Sequence, residues 1–158
     1  AFGDFGLDVG AIVYYYPAMK PDIIWSLIEN GYRGIVINGT GLGHVNKPLY
    51  EPLREACKRG ISVVMCVQTI WGYAQMFVYD TGRDLIELGV VPCANMLAEA
   101  AYVKLGWVLA HTQDREEVAR RMLEPINGEI TEREPPDGYL VFQGGLPEIE
   151  EFLQRGWR

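Results

Sequence analysis

Residues 34–46, GIVINGTGLGHVN, set a short uncharged apolar run directly before a loop with glycine at positions 39, 41 and 43. A run this short and β-branched reads as a buried strand rather than a helix. From about Lys47 to Arg59, Leu49, Leu53, Ala56 and Cys57 recur at helical spacing on one face, with Glu51, Arg54, Glu55, Lys58 and Arg59 on the other. Strand, glycine-rich turn and helix make half of a parallel β-α-β unit. That constrains the fold, because parallel strands need long crossovers and are covered by helices. Ligands of open α/β sheets bind at the loops that follow the strands' carboxyl ends. The loop holding Gly41, Gly43 and His44 is therefore the expected edge of any site.

The same alternation runs along the chain at roughly 25-residue intervals. Val9 to Tyr16, uncharged and rich in β-branched and aromatic residues, reads as a first strand covered on both faces. Pro17 ends it, and a helix follows from Pro21-Asp22 to Asn30-Gly31, where glycine stops it. The second strand spans Arg33 to Ile37, and Ile61 to Val67 is the third. Residues 68–79, QTIWGYAQMFVY, break the rhythm after that strand's carboxyl end, as a site loop or an interface loop does. A helix over Asp80 to Leu88 leads to a short strand at Val90-Val91-Pro92, placed at an edge because proline cannot donate to a ladder. Met96 to Ala110 is a helix apolar nearly all round, with only Glu99 and Lys104 charged. Those two are not at a same-face spacing, so each is expected to find a partner elsewhere. Asp114 caps a last helix to about Leu123. The expected architecture is α/β: a three-layer sandwich with a parallel sheet of about four strands over residues 1–131. Residues 132–158 read as an extension or tail, with a short strand over Tyr139 to Phe142 and an acidic helix over Pro147 to Arg155.

Composition narrows the function. The chain has 158 residues, 49% of them hydrophobic, and a net charge of −7. That balance supports a globular core and argues against a nucleic-acid groove, which needs clustered Lys and Arg. Cys57, Cys66 and Cys93 are far apart, form no C-x-x-C and are joined by only two histidines, so no metal site is expected. Unpaired thiols fit a reducing compartment, and a cytoplasmic location is expected. Residues 1–10 lack the basic start of a signal peptide, and no apolar run reaches the roughly 20 residues of a membrane span. The chain begins at Ala1, as expected of a fragment or a processed product.

Nucleophiles are few. Ser26 and Ser62 are the only serines, one in a helix and one in a strand, and no G-x-S-x-G elbow occurs. Gln68 and Thr69 are the best polar pair at a strand end, but Thr69 has no general base in local sequence. Gly39, Gly41 and Gly43 alternate and so miss the G-x-G-x-x-G spacing, with Asn46 where the third glycine belongs. His44 is placed to donate to a carboxylate ligand. His111 ends a helix, where a cation suits the dipole.

The segments GYRGIVINGTGLGHV, ISVVMCVQTIWGYAQMFVYDTGRDLIELGVVPCANMLAEAAYVKLGWVLAHTQDREEV and GEIT resemble the C-terminal domain of the type I L-asparaginase family. Within it they are most similar to the branch that provides the D-type subunit of archaeal Glu-tRNA(Gln) amidotransferases. The resemblance implies a Thr-nucleophile amidohydrolase that frees ammonia from Gln or Asn, without a cofactor. It places the two catalytic threonines in an N-terminal domain, and neither T-G-G-T nor H-G-T-D-T occurs here. No catalytic residue is therefore expected in this chain. The substrate-site edge is expected at Gly41, Gly43, His44, Gln68 and Thr69, with His44 facing a neighbouring protomer's active site. The implied partners are the N-terminal catalytic domain, a second copy in a homodimer, and a tRNA-binding, ATP-dependent subunit. Asn95-Met96 replaces the family's frequent Asp-Met, and the acidic residue that secreted-type asparaginases place in the loop after the third strand has no clear match near Met76. The residues alone leave open a plain asparaginase domain, a non-catalytic interaction domain and a small-ligand sensor.

Overall fold

The computed structural model describes residues 10–132. The strand and helix expected over 139–142 and 147–155, nearly all of the 132–158 extension, and Val9 lie outside the described residues. Four parallel strands, β1 (Gly10–Tyr14), β2 (Gly34–Gly39), β3 (Ser62–Val67) and β4 (Val91–Pro92), lie in the order β1-β2-β3-β4. The helices are α1 (Asp22–Glu29), α2 (Tyr50–Lys58), α3 (Asp80–Leu88), α4 (Ala98–His111) and α5 (Arg115–Leu123). A 3-10 turn at Lys47–Leu49 precedes α2 where one continuous helix is expected from sequence. Pro48 has no N–H to donate and so suits this tight first turn.

Strand pleating divides the core in two. Val13, Ile37 and Met65 are register neighbours and face α1, α2 and α3. Ile12, Val36, Val64 and Val91 form the row that faces α4 and α5. All six residues of β2 are buried, as the centre of a helix-covered parallel sheet requires. β1 departs from expectation. It ends at Tyr14, and only Val13 of its five residues is buried, because the strand lies at the sheet edge. β4, with its proline, is the opposite edge. Among the described residues no helix is long and apolar enough to cross a membrane.

The charged residues of α4 do find separate partners. Tyr14 Oη donates to Glu99 at 2.7 Å. Lys104 is buried and donates to Glu129 Oε1 and to the carbonyl of Glu124, each at 2.6 Å. Glu129 also accepts from the N–H groups of Ile126 and Asn127. Burial pushes the Glu129 carboxyl upward, but Lys104 and these amides outweigh it and hold the carboxyl at about 2. Further on, Asn95 exchanges two hydrogen bonds with Thr131, at 2.7 and 2.9 Å, and Tyr73 Oη donates to the carbonyl of Glu132. The chain after α5 is thus strapped back across α4 to the sheet's carboxyl edge.

Lys104→Met leaves the Glu129 carboxylate without its cation and is expected to cost about 3–5 kcal/mol in urea unfolding at pH 7. The folded-state pKa of Glu129 lies below its usual value, so its contribution is present above about pH 4.3 and lost as pH falls toward 2. The stability gap between wild type and Lys104→Met should narrow over that range.

Candidate functional site

β2 is the source of the candidate loop. At Gly39 the chain leaves the sheet and closes on itself within five residues. Thr40 N–H donates to the His44 carbonyl at 3.0 Å, and His44 N–H returns a bond to the Thr40 carbonyl at 2.9 Å. Gly43 N–H and the Thr40 hydroxyl complete the turn. Gly41 and Gly43 have φ of +55° and +95°, a region that L side chains enter at a cost. Their alternate spacing therefore reflects a tight turn rather than a dinucleotide cradle. A Cβ at Gly39 would stand 2.8 Å from Met65 Sδ and 3.0 Å from His44 N and O; one at Gly43 would meet Met65 and Met76 at 3.0 and 3.1 Å. The loop is seated directly on these two buried methionines.

His44 is half-buried at the loop's end, and its ring meets Tyr79 edge-on at 5.6 Å between centroids. Its Nε2 is enclosed without a partner among the described residues, as are Asn38 Oδ1 and Asn46 Oδ1. Asn38, next to last in β2, lies in register with Cys66 on the α4 side and is 5% exposed. Beside it, the Tyr14 hydroxyl is pushed up by its hydrogen bond to Glu99, and the same bond draws the Glu99 carboxyl down.

Gln68 and Thr69 follow β3 onto the same edge. The Gln68 side-chain amide donates to the carbonyls of Tyr15 and Asn38, the latter at 2.9 Å. Thr69 Oγ1 folds over Gly72 and fills the space that a Cβ there would need. Among the described residues no carboxylate, imidazole or amine hydrogen-bonds the Thr69 hydroxyl, so nothing there activates it. The loop beyond buries Ala74 and Met76 but exposes Ile70, Trp71, Phe77, Val78 and Tyr79. Polar loop and apolar rim therefore share one edge of the domain.

The structure brings four expected residues, Gly41, Gly43, His44 and Gln68, to that edge and turns the Thr69 hydroxyl into its own loop. Asn38 was not anticipated, and Tyr79, the last residue of the expected site or interface loop, was not paired with His44. Asn38 carries a usable signal: a lone amide ending an apolar strand needs a partner. The pairing of Tyr79 with His44 carries none, because that meeting spans two loops. At the opposite edge a cleft of about 370 Å³ lies between Arg33, Arg59, Ile61 and Gln113. The carboxyl ends of α1, α2 and α4 gather there, and their dipoles suit the arginines and oppose an anion.

The Glutaminase/Asparaginase C-terminal domain family model matches residues 11–122, from β1 into α5. The chain belongs to this family. It is 51% identical over 130 residues to the D-type subunit of the Glutamyl-tRNA(Gln) amidotransferase of Pyrococcus horikoshii, covering 82% of this chain and 30% of that protein. The chain thus spans about three tenths of that relative's length. The thermostable L-asparaginase from Thermococcus kodakarensis superposes with a TM-score of 0.71 at 34% identity, over 77% of this chain and 38% of that one. L-asparaginase I from Vibrio cholerae gives 0.70 at 29% identity, over 77% and 37%. The region matched to the glutaminase/asparaginase C-terminal domain includes all of the sheet but Gly10, the His44 loop and the aromatic rim.

Gly43→Ala and Gly60→Ala both place alanine at positive φ, but only the first meets neighbours, since a Cβ at Gly60 has nothing within 4 Å. Each should lose about 1–2 kcal/mol to the backbone. Gly43→Ala should lose measurably more in urea unfolding, through Met65 and Met76.

Proposed function

We propose that this chain is the C-terminal domain of an amidohydrolase that releases ammonia from Gln or Asn. In this reading it belongs to the glutaminase-like subunit of a tRNA-dependent amidotransferase that forms Gln-tRNA(Gln). The observation that carries the reading is the match of residues 11–122, with all four strands and the His44 loop, to this family, together with 51% identity to a subunit of such an amidotransferase. The nucleophile is assigned to an N-terminal catalytic domain. Residues 1–131 supply the α/β domain, and 132–158 an extension of it. Gly41 and Gly43 shape the loop, and His44 reaches the active site of a second copy across a homodimer. The ammonia then passes to a tRNA-binding, ATP-dependent partner subunit in the cytoplasm. Two physical features support this division. Among the described residues no group activates Thr69, and His44 sits beside an exposed apolar rim suited to being covered by protein.

The same rim favours a second reading, a purely interacting domain with no part in amide hydrolysis. Activity separates the two. His44→Ala in the full-length protein is expected to lower kcat/KM for amide hydrolysis by about 10²-fold, the usual scale for losing one well-placed polar contact at a reacting centre. Unchanged kcat/KM would favour the interaction domain. This chain alone should release no ammonia from Gln or Asn at high protein concentration. Clear release would place a nucleophile within these residues and overturn the proposal.

A further inference from the structure

The carboxyl edge poses a backbone problem that one side chain solves. β1 and β2 run in register up to Tyr14 and Asn38. One more ladder bond forms, from Tyr15 N–H to the Asn38 carbonyl at 3.0 Å. Then β2 turns away into the glycine loop, and the Tyr15 carbonyl has no strand amide left to receive. Gln68 stands in for that strand. Its Nε2 donates to the carbonyls of Tyr15 and Asn38, and its own backbone N–H donates to the Gly39 carbonyl at 3.1 Å. A carboxamide nitrogen has two donor hydrogens, and both are used here. One residue thus ties the ends of β1, β2 and β3 together at the point where the loop departs.

From that point an unbroken run of bonds reaches His44. Gln68 holds residues 38 and 39, and Thr40 follows. Thr40 and His44 are bound to each other through both backbone N–H groups and the Thr40 hydroxyl. Met65 and Met76 close the underside, and Tyr79 meets the ring.

We propose that Gln68 is a positioning residue: its carboxamide clamps the diverging ends of β1 and β2 and so sets where the His44 ring stands. This assigns the Gln68 amide nitrogen to the backbone rather than to a substrate. The consequence for activity rests on the amidohydrolase reading above, whereas the clamp itself does not.

Two substitutions test it. Gln68→Met keeps an unbranched side chain of similar length and removes both donors. Gln68→Glu keeps the shape and turns a carboxylate on two carbonyl oxygens. The chain has two histidines, His44 and His111, and His111 ends α4 at the far edge of the sheet, so its imidazole signals are an internal reference. Imidazole NMR spectra of this chain should show the His44 signals displaced in both variants, more in Gln68→Glu, with those of His111 unchanged. His44 signals that superimpose on wild type in Gln68→Met would overturn the clamp. So would failure of Gln68→Met to fold at all, which would make Gln68 a support of the whole sheet rather than of the loop. If only Gln68→Glu fails to fold, Gln68→Met decides.

In the full-length enzyme, Gln68→Met should raise KM for the amide substrate about tenfold, while kcat changes less than about threefold, because the nucleophile lies elsewhere. Displaced His44 signals with unchanged KM would keep the clamp and remove His44 from the substrate site. Unmoved signals with a raised KM would remove the clamp and leave the site reading standing.

Discussion

A buried parallel sheet satisfies its backbone until its strands diverge, and this fold is governed by what happens at that divergence. Each N–H or C=O left buried without a partner costs about 1–3 kcal/mol. At the carboxyl edge Gln68 takes up the carbonyls of Tyr15 and Asn38. The chain from Thr40 to His44 closes on its own backbone. Between β3 and β4, Cys93 N–H reaches the Met65 carbonyl and Ala74 N–H the Ala94 carbonyl, at 2.9 and 2.8 Å. The site loop has its shape because these groups must be paired within very few residues. The glycines are a consequence of that demand, since only they turn so tightly while lying against Met65 and Met76.

The strap after α5 follows the same logic with a charge at its centre. Lys104 is buried in an otherwise apolar face of α4, and desolvating an ammonium is tolerable only with full compensation. Glu129 and the Glu124 carbonyl provide it, so the segment from 124 to 129 has one place to go. Asn95 and Tyr73 then continue the same path to Thr131 and Glu132. Tyr73 lies within the aromatic loop and Asn95 just after β4, so the strap braces the edge that carries the candidate site.

How much of this was legible depended on whether the signal was local. Periodicity placed β2, β3, α1 and α3 within a residue or two, and the glycine stop at Gly31 marked the end of α1. The Asp114 cap was readable because it acts three residues away, on Glu117 N–H. Separate partners for Glu99 and Lys104 followed from their spacing, but the partners' identities did not, since Tyr14 and Glu129 are 85 and 25 residues distant. β1 looked buried because its residues are apolar; unlike β4, whose Pro92 marks an edge, β1 carries no residue that betrays its place in the strand order. Gln68 was recognised as a polar residue at a strand end. That its amide would serve two backbone carbonyls depended on where β2 left the sheet, which no local pattern encodes.

The rim explains why such a loop suits a site completed by another surface. Ile70, Phe77, Val78 and Tyr79 are each more than half exposed beside a polar loop that is already fixed in shape. Covering these side chains is favourable by about 25 cal/mol per Å² of apolar area removed from water. The same event lowers the dielectric around His44 and strengthens whatever hydrogen bond its ring then makes. In the proposed homodimer, assembly and site completion would be coupled through one edge: the apolar residues favour the contact, and the contact would strengthen the hydrogen bonding of the His44 ring. A loop that had to be ordered at that moment would lose conformational entropy against this gain. Here the turn is closed by backbone bonds and held by the Gln68 amide, so in the proposed assembly the free energy of covering the rim would be available to hold the second surface.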